Sequence, residues 1–286
     1  HSVTVLTTEH GDHTIDTETL DHTDIGLIRI DCPTRLSPRI WFGRAVRRYF
    51  GTELDTSQFD LLHFHEYVDV SGLEIDAPTI VKTHYNRSAK SKYFPFKQYN
   101  PILRPFVKLG LTYGIEPRER SLVRRALASV DGHICVSTLV RNRSIDEHGH
   151  QGPTRVVYNG VDGNRFHPNG KRDEDDFVFV GGTTRRKGYD RLLEAVTGTD
   201  IQITIVGAED PISVPVPPNV ELVGYVNHAD LRPFYQNARA LVHPAVYEPF
   251  GNVVLESLAC GTPVIVSDDR FCGAAEICTD DVGKTI

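Results

Sequence analysis

Strand-sized apolar runs alternate with helix-sized stretches along most of this chain, and few folds accept that order. In the second half Phe177–Val180, Ile201–Val206, Val220–Val223, Ala240–His243 and Val264–Val266 read as strands. Tyr189–Val196, His228–Asn237 and Asn252–Ala259 read as the helices between them. The first half repeats the theme, with strands expected at Val3–Thr7, Leu27–Ile30, Leu61–His65, Thr79–Thr83 and Gly132–Val136 and helices near Ile40–Phe50 and Arg118–Ala128. Parallel strands cannot be joined by a tight turn, so each pair needs a crossover, and a helix is the usual one. The expected class is therefore α/β, with helices on both faces of parallel sheets.

After Asn159–Pro168 comes Asn169–Asp176, a polar, turn-rich run that reads as a linker. It divides the chain into a first unit, 1–168, and a second, 177–286, each near the usual domain size of ~100–150 residues. A content of 40% hydrophobic and 24% charged residues suits ordinary globular cores. No apolar run approaches the ~18 residues that a membrane span requires. The five cysteines are odd in number and show no Cys-x-x-Cys spacing, which indicates neither a disulfide framework nor a zinc site. With no charged-then-apolar leader at the start, a reducing cytoplasmic setting is expected.

The strongest chemical signal is a pair of acids, Glu248 and Glu256, in Tyr247-Glu-Pro-Phe-Gly-Asn-Val-Val-Leu-Glu-Ser-Leu-Ala-Cys-Gly-Thr-Pro-Val264. Pro249 and Gly251 put the first acid on a loop, and the second lies on the helix that the loop feeds. Free N–H groups and the positive dipole end at a helix start suit a phosphate, while ionised carboxylates only accept hydrogen bonds, as from hydroxyls. A diphosphate flanked by hydroxylated rings fits both.

This stretch resembles the donor-binding signature of retaining glycosyltransferases of family 4, the group 1 glycosyl transferases. Members have the GT-B fold, two Rossmann-like domains facing across a cleft. The resemblance implies that Glu248 contacts the transferred sugar, that Glu256 holds the nucleotide ribose, and that the amides of Phe250, Gly251, Asn252 and Val253 meet the phosphates. It also places Val226, in Gly224-Tyr-Val226, where related chains contact the base. In the family a strand, a Gly-rich turn and a helix precede the strand at Val3, and a further helix follows the last strand. Both are expected to lie outside residues 1–286.

Between the first strand and helix of the second unit lies Gly181-Gly-Thr-Thr-Arg-Arg-Lys-Gly188. Glycines after a strand let backbone approach a ligand, and a cation before the helix neutralises phosphate charge. The loop matches neither G-x-G-x-x-G nor the Walker consensus. It is similar to the family's Gly-Arg…Lys-Gly element, with Lys187 and Gly188 in the matching places. Gly182 stands where members commonly carry a phosphate-binding arginine, so Arg185 and Arg186 are the candidates to supply that charge.

In the first unit, His63 and His65 end a strand on one side of it. Polar residues at the carboxyl end of such strands are where open α/β sheets place ligands. With Thr79–Tyr85 this segment resembles the first domain of the phosphatidylinositol mannosyltransferase-like branch, and His65 matches the histidine at the reaction centre there. His63 is expected to be a satisfied core histidine, and His148 and His150 to lie in a surface loop. Asp173-Glu-Asp175 spells D-x-D but sits in a solvated charge run, so no metal site is expected. From Arg87 to Val130 ten cations face two acids in a chain of net charge −7, interleaved with aromatics. That composition suits a segment on an anionic membrane surface, at the inner face, and equally an exposed helix and loop. Overall acidity and the absence of a recognised module argue against nucleic acid.

The expectation that follows is a metal-independent retaining hexosyltransferase without cofactor, using a nucleoside-diphosphate sugar as donor. The acceptor is left open among lipid, glycan and small molecule. A GT-B sugar-nucleotide epimerase and a non-catalytic nucleotide-sugar-binding protein remain as alternatives; a dinucleotide dehydrogenase is disfavoured because the Gly-rich fingerprint is missing.

Overall fold

The computed structural model describes residues 3–8, 25–30, 38–65, 67–84, 105, 113, 116–170, 176–207 and 215–286. All described strand pairs are parallel. Strands β1 (Val3–Thr8) and β2 (Ile25–Ile30) form one pair. Strands β3 (Leu62–His65), β4 (Thr79–Thr83), β5 (Gly132–Cys135) and β6 (Thr154–Val156) form a second group in that order. Helices α1 (Pro38–Thr52), α2 (Glu116–Ala128) and α3 (Thr138–His148) belong to this half.

The second half contains β7 (Phe177–Val180), α4 (Tyr189–Val196), β8 (Ile203–Val206), β9 (Val220–Gly224), α5 (Arg232–Gln236), β10 (Ala240–His243), α6 (Asn252–Ala259), β11 (Val264–Val266) and β12 (Gly283–Thr285). Its sheet runs β12-β11-β10-β7-β8-β9. The chain thus builds outward from β7 in one direction and restarts on the other side at β10. Open α/β sheets bind ligands at the carboxyl ends of the strands flanking such a reversal.

Both faces of this sheet are covered, and β7 shows how. Val178 and Val180 enter a core with Phe166, Tyr235, Leu241, Val254 and Val264, while Phe179 points the opposite way, into a cluster with Tyr189, Leu193, Ile203 and Ile205. Helix α4 buries Tyr189, Leu192, Leu193 and Val196, an i, i+3, i+4, i+7 stripe. Each such apolar side chain contributes roughly 1.5–3 kcal/mol on burial. In the first half Val46, Phe50, Leu62, Phe64, Val81, Val123 and Leu127 form the equivalent core. Residues before the linker cross over to the second half: Phe166 is 2% exposed there, and Gln236 donates to the His167 carbonyl at 2.6 Å.

Several expectations are corrected. The single helix foreseen at His228–Asn237 is a 3-10 turn, His228–Asp230, followed by α5. Pro233 explains the break, because it has no N–H to continue the ladder and sits in the first turn of the new helix. His63 is exposed rather than in the core. His148 is buried in the last turn of α3 and 5% exposed, not in a surface loop, and His150 is half-buried beside it. Most of the cationic stretch 87–130, and Asp173–Asp175, lie outside the described residues. The described part of that stretch includes α2, which turns Val123, Ala126 and Leu127 inward and leaves Arg118, Arg120, Arg124 and Arg125 exposed. No helix among the described residues is long and apolar enough to cross a membrane.

Candidate functional site

Two loops meet at the β7/β10 reversal. The first leaves β7 and makes a 3-10 turn, Arg185–Lys187, that stops at Gly188 with φ 74°. A Cβ on Gly188 would lie 1.9 Å from the Pro244 carbonyl oxygen, so glycine is what lets this turn press against the loop after β10. The Arg186 carbonyl accepts the Val246 N–H at 2.9 Å, which fastens the two loops together.

The second loop carries Glu248. Its N–H donates to the Phe271 carbonyl at 2.7 Å and its carbonyl accepts from the Gly273 N–H at 2.9 Å, an isolated parallel bridge that fixes the backbone. Gly251 follows at φ 94° and forms the N-cap of α6 without a side-chain cap bond. The first turn of α6 therefore begins beside Glu248 with glycine rather than a capping side chain.

The Glu248 carboxylate is enclosed by cations. Lys187 Nζ lies 2.5 Å and Arg186 Nη1 3.2 Å from Oε2, and Arg186 Nη1 also donates to the Tyr247 carbonyl at 3.0 Å. Burial alone would raise the Glu248 pKa, but Lys187, His243 and Arg186 together outweigh it and hold it below the usual range. His243, at the end of β10, is fully buried, with Nε2 3.8 Å from Glu248 Oε2. Burial first, then Lys187, pushes this imidazole down to about 4, so it is neutral at physiological pH.

One helix turn on, Glu256 of α6 is 6% exposed and accepts from Tyr235 Oη at 2.7 Å and pairs with His228 Nε2 at 2.9 Å. Arg165 Nη1 approaches His228 Nδ1 at 3.1 Å. Arginine only donates, so Nδ1 accepts and Nε2–H is left to donate to Glu256. Burial and the Glu256 charge raise the Tyr235 pKa, keeping its hydroxyl a donor.

Of the residues singled out from sequence, Glu248, Lys187, Arg186, Gly251 and Asn252 gather at this junction. Arg185 points elsewhere, 79% exposed and 3.8 Å from Asp190. A Cβ at Gly182 would meet nothing within 4 Å, whereas one at Gly181 would reach the Lys187 side chain at 3.9 Å. Val226 and Val253 pack against the second-half core. Phe250 is buried against Cys135, Val136 and Val140 of the first half and stacks on Tyr158 with centroids 5.6 Å apart. His65 belongs to a different group: it stacks on His63 at 4.6 Å, and its Nδ1 lies 3.3 Å from His84 Nε2. Burial, then Lys82, lowers the His84 pKa.

Three participants were not read from the sequence. His243 carried the same signal as His65, a polar residue ending an apolar strand. His228 and Tyr235 carried none, because only the fold brings the 3-10 turn and α5 that hold them beside α6. A second set ties the halves together. Glu276 Oε1 accepts the Thr138 N–H at 2.7 Å at the start of α3, its Oε2 accepts from Tyr158 Oη at 3.0 Å, and Ser137 Oγ donates to the Pro249 carbonyl at 2.6 Å. Cys135 and Cys272 thiols are pushed up to about 12 by burial and Cys260 to about 11, which makes them inert as nucleophiles. Among the described residues no group of three or more His, Cys, Asp or Glu is arranged to hold a metal.

Two parallel-sheet halves, the second carrying carboxylates and cations at its sheet reversal, have the GT-B architecture. The chain belongs to Glycosyltransferase Family 4, whose model matches residues 1–165; the Glycosyl transferases group 1 model matches residues 161–286. It is 28% identical over 211 residues to the alpha-maltose-1-phosphate synthase of Mycobacterium tuberculosis, covering 63% of this chain and 54% of that protein. The chain spans about half or less of the length of the curated relatives it matches. Sucrose-phosphate synthase from Thermosynechococcus elongatus superposes with a TM-score of 0.72 at 20% identity, over 99% of this chain and 75% of that one. Anabaena HepE in complex with UDP and glucose superposes with a TM-score of 0.64 at 16% identity, over 98% and 77%.

Proposed function

We propose that this protein transfers a sugar from a nucleoside-diphosphate sugar to an acceptor, with retention of anomeric configuration and without a metal. The observation that carries this reading is the pair of buried carboxylates on and before α6, placed at the sheet reversal with Lys187 and Arg186 against one of them. Lys187, Arg186 and His243 all approach Glu248 through Oε2, so Oε1 is the oxygen to receive a sugar hydroxyl. Glu256, held by Tyr235 and His228, would accept from the ribose. Family membership, and the structural neighbour that holds UDP and glucose, support an activated-sugar ligand.

The chemistry follows from charge. Breaking the bond to the anomeric carbon loads negative charge on the leaving diphosphate, so a cation aimed there lowers the barrier more than it tightens ground-state binding. Lys187 and Arg186 supply that charge, and the amides of Phe250 to Val253 add to it. In this reading the acceptor attacks on the face the diphosphate leaves, and the departing phosphate takes its proton. His65 would meet the sugar from the first half when the cleft closes.

Calorimetry with UDP-, GDP- and ADP-sugars, followed by product analysis, tests the reading. Glu256→Ala should weaken binding of the preferred donor by about 1–3 kcal/mol through lost ribose hydrogen bonds. Unchanged affinity would contradict the assignment, and an epimerised donor or a bound but unreacted one would replace transfer as the activity. For residues 87–130 we propose contact with an anionic membrane surface; liposome sedimentation that ignores anionic lipid content would discard it.

A further inference from the structure

His243 lies directly behind Glu248 and is 0% exposed, yet neither ring nitrogen has a hydrogen-bond partner. A buried polar group left unpaired gives up its bonds to water and gains none in return. Native structures hold few of them, so one beside a ligand-binding carboxylate calls for a reason. Its Nε2 stops 3.8 Å from Glu248 Oε2, beyond hydrogen-bond length, while Lys187 at 2.5 Å and Arg186 at 3.2 Å already engage that oxygen. Gly251 borders both groups: a Cβ there would lie 3.5 Å from Nε2, in ordinary contact, and 3.3 Å from Glu248 Cγ. The gap exceeds the usual N–H···O length of 2.7–3.2 Å by only about 0.6–1.1 Å.

We propose that His243 is a positioning residue for Glu248, donating its Nε2–H to the carboxylate once Lys187 turns to the diphosphate of a bound donor. The inference rests on the sugar-nucleotide reading of the same site. Lys187 cannot serve the phosphate fully while it is paired with Glu248. When it leaves, the buried carboxylate loses its shortest hydrogen bond and needs another to stay aimed at the sugar. A neutral donor suits this place better than a cation, because it holds the carboxylate without drawing the diphosphate away from Lys187 and Arg186. The burial and neighbouring cations that keep His243 uncharged supply such a donor.

His243→Leu removes the donor while keeping the bulk, and the outcomes separate cleanly. The melting temperature should stay level or rise, because the unpaired nitrogens are gone. Affinity for UMP, GMP or AMP, which bring no diphosphate to draw Lys187 from Glu248, should hold within about twofold, while affinity for the matching sugar nucleotide falls about tenfold, as one lost hydrogen bond requires. His243→Gln, which retains an N–H donor, should recover part of the loss. A His243→Leu protein that binds the sugar nucleotide as tightly as wild type, or loses both ligands equally, overturns the proposal.

A second arm needs no ligand and so survives failure of the functional reading, which would show as wild-type protein binding none of these compounds. In Lys187→Met, nitrogen-15 NMR of the ring should show His243 as the Nε2–H tautomer hydrogen-bonded to Glu248. A ring signal identical to wild type would equally overturn the proposal.

Discussion

Lowering the pH from near 7 to near 5 should destabilise the folded chain by about 6 kcal/mol, through three buried imidazoles. His133 is 2% exposed, lies 2.9 Å from Thr83 Oγ1, and is pushed down to about 4 by burial and then by His150 and His148. His148 is held at about 4 by burial and then by Arg120 and Arg124, with neither ring nitrogen hydrogen-bonded. His243 is at about 4 for the reasons given above. In the unfolded chain each would titrate near its ordinary 6.5. Between those values the unfolded state binds protons that the folded state cannot. Stability is therefore full above about pH 6.5, falls as pH drops, and levels off below about 4. Near pH 5 each of these three accounts for roughly 2 kcal/mol, and the downward-shifted His63, His84 and His150 act in the same direction. The depressed carboxylates, Glu248 among them, begin to act as pH falls through their unfolded values of 3.8 to 4.5, below the pH 5 endpoint. Urea unfolding near pH 7 and pH 5 measures the difference directly. His148→Leu should remove about a third of it, and a wild-type change below about 1 kcal/mol would refute the reasoning.

Two further outcomes test the scaffold. Gly188→Ala should cost about 2 kcal/mol or more, since its Cβ would occupy the place of the Pro244 carbonyl and its φ of 74° is unfavourable for alanine; thermal melting reads the loss, and weaker sugar-nucleotide binding reads the displaced Lys187. Glu276→Ala should cost about 1–2 kcal/mol by leaving the Thr138 and Leu139 N–H groups unpaired, although Ser137 still caps α3, and by freeing Tyr158. Faster hydrogen exchange at residues 138 and 139 checks it, with partial recovery in Glu276→Gln.

Where the chain's own chemistry settles an element, the sequence was enough. The bounds of β7, α4, β10, α6 and β11 were all legible, because each is a dense apolar run or stripe closed by Gly, Pro or a polar cluster. Helix α3 was not, because its buried line of Val140, Ser144 and His148 is two-thirds polar and shows no amphipathic period. The same cause hid the burial of His148. In the site, Glu248, Glu256 and Lys187 stood out through spacing and flanking glycines. The choice between Arg185 and Arg186 did not, because a tight 3-10 turn sends neighbouring side chains in different directions. Tyr235, His228 and Glu276 act across 21, 28 and 138 residues of sequence separation, which no local pattern encodes.

The central claim is that Glu248, Glu256 and the start of α6 grip one sugar nucleotide between them. A crystal structure with the best-bound sugar nucleotide tests it most directly. It should show the sugar hydroxyls at Glu248, the ribose at Glu256, and the diphosphate between Lys187 and the amides of residues 250–253. Ligand density lodged elsewhere, for instance in the groove lined by Asp190, Leu193, Glu194 and Thr197, would contradict the account.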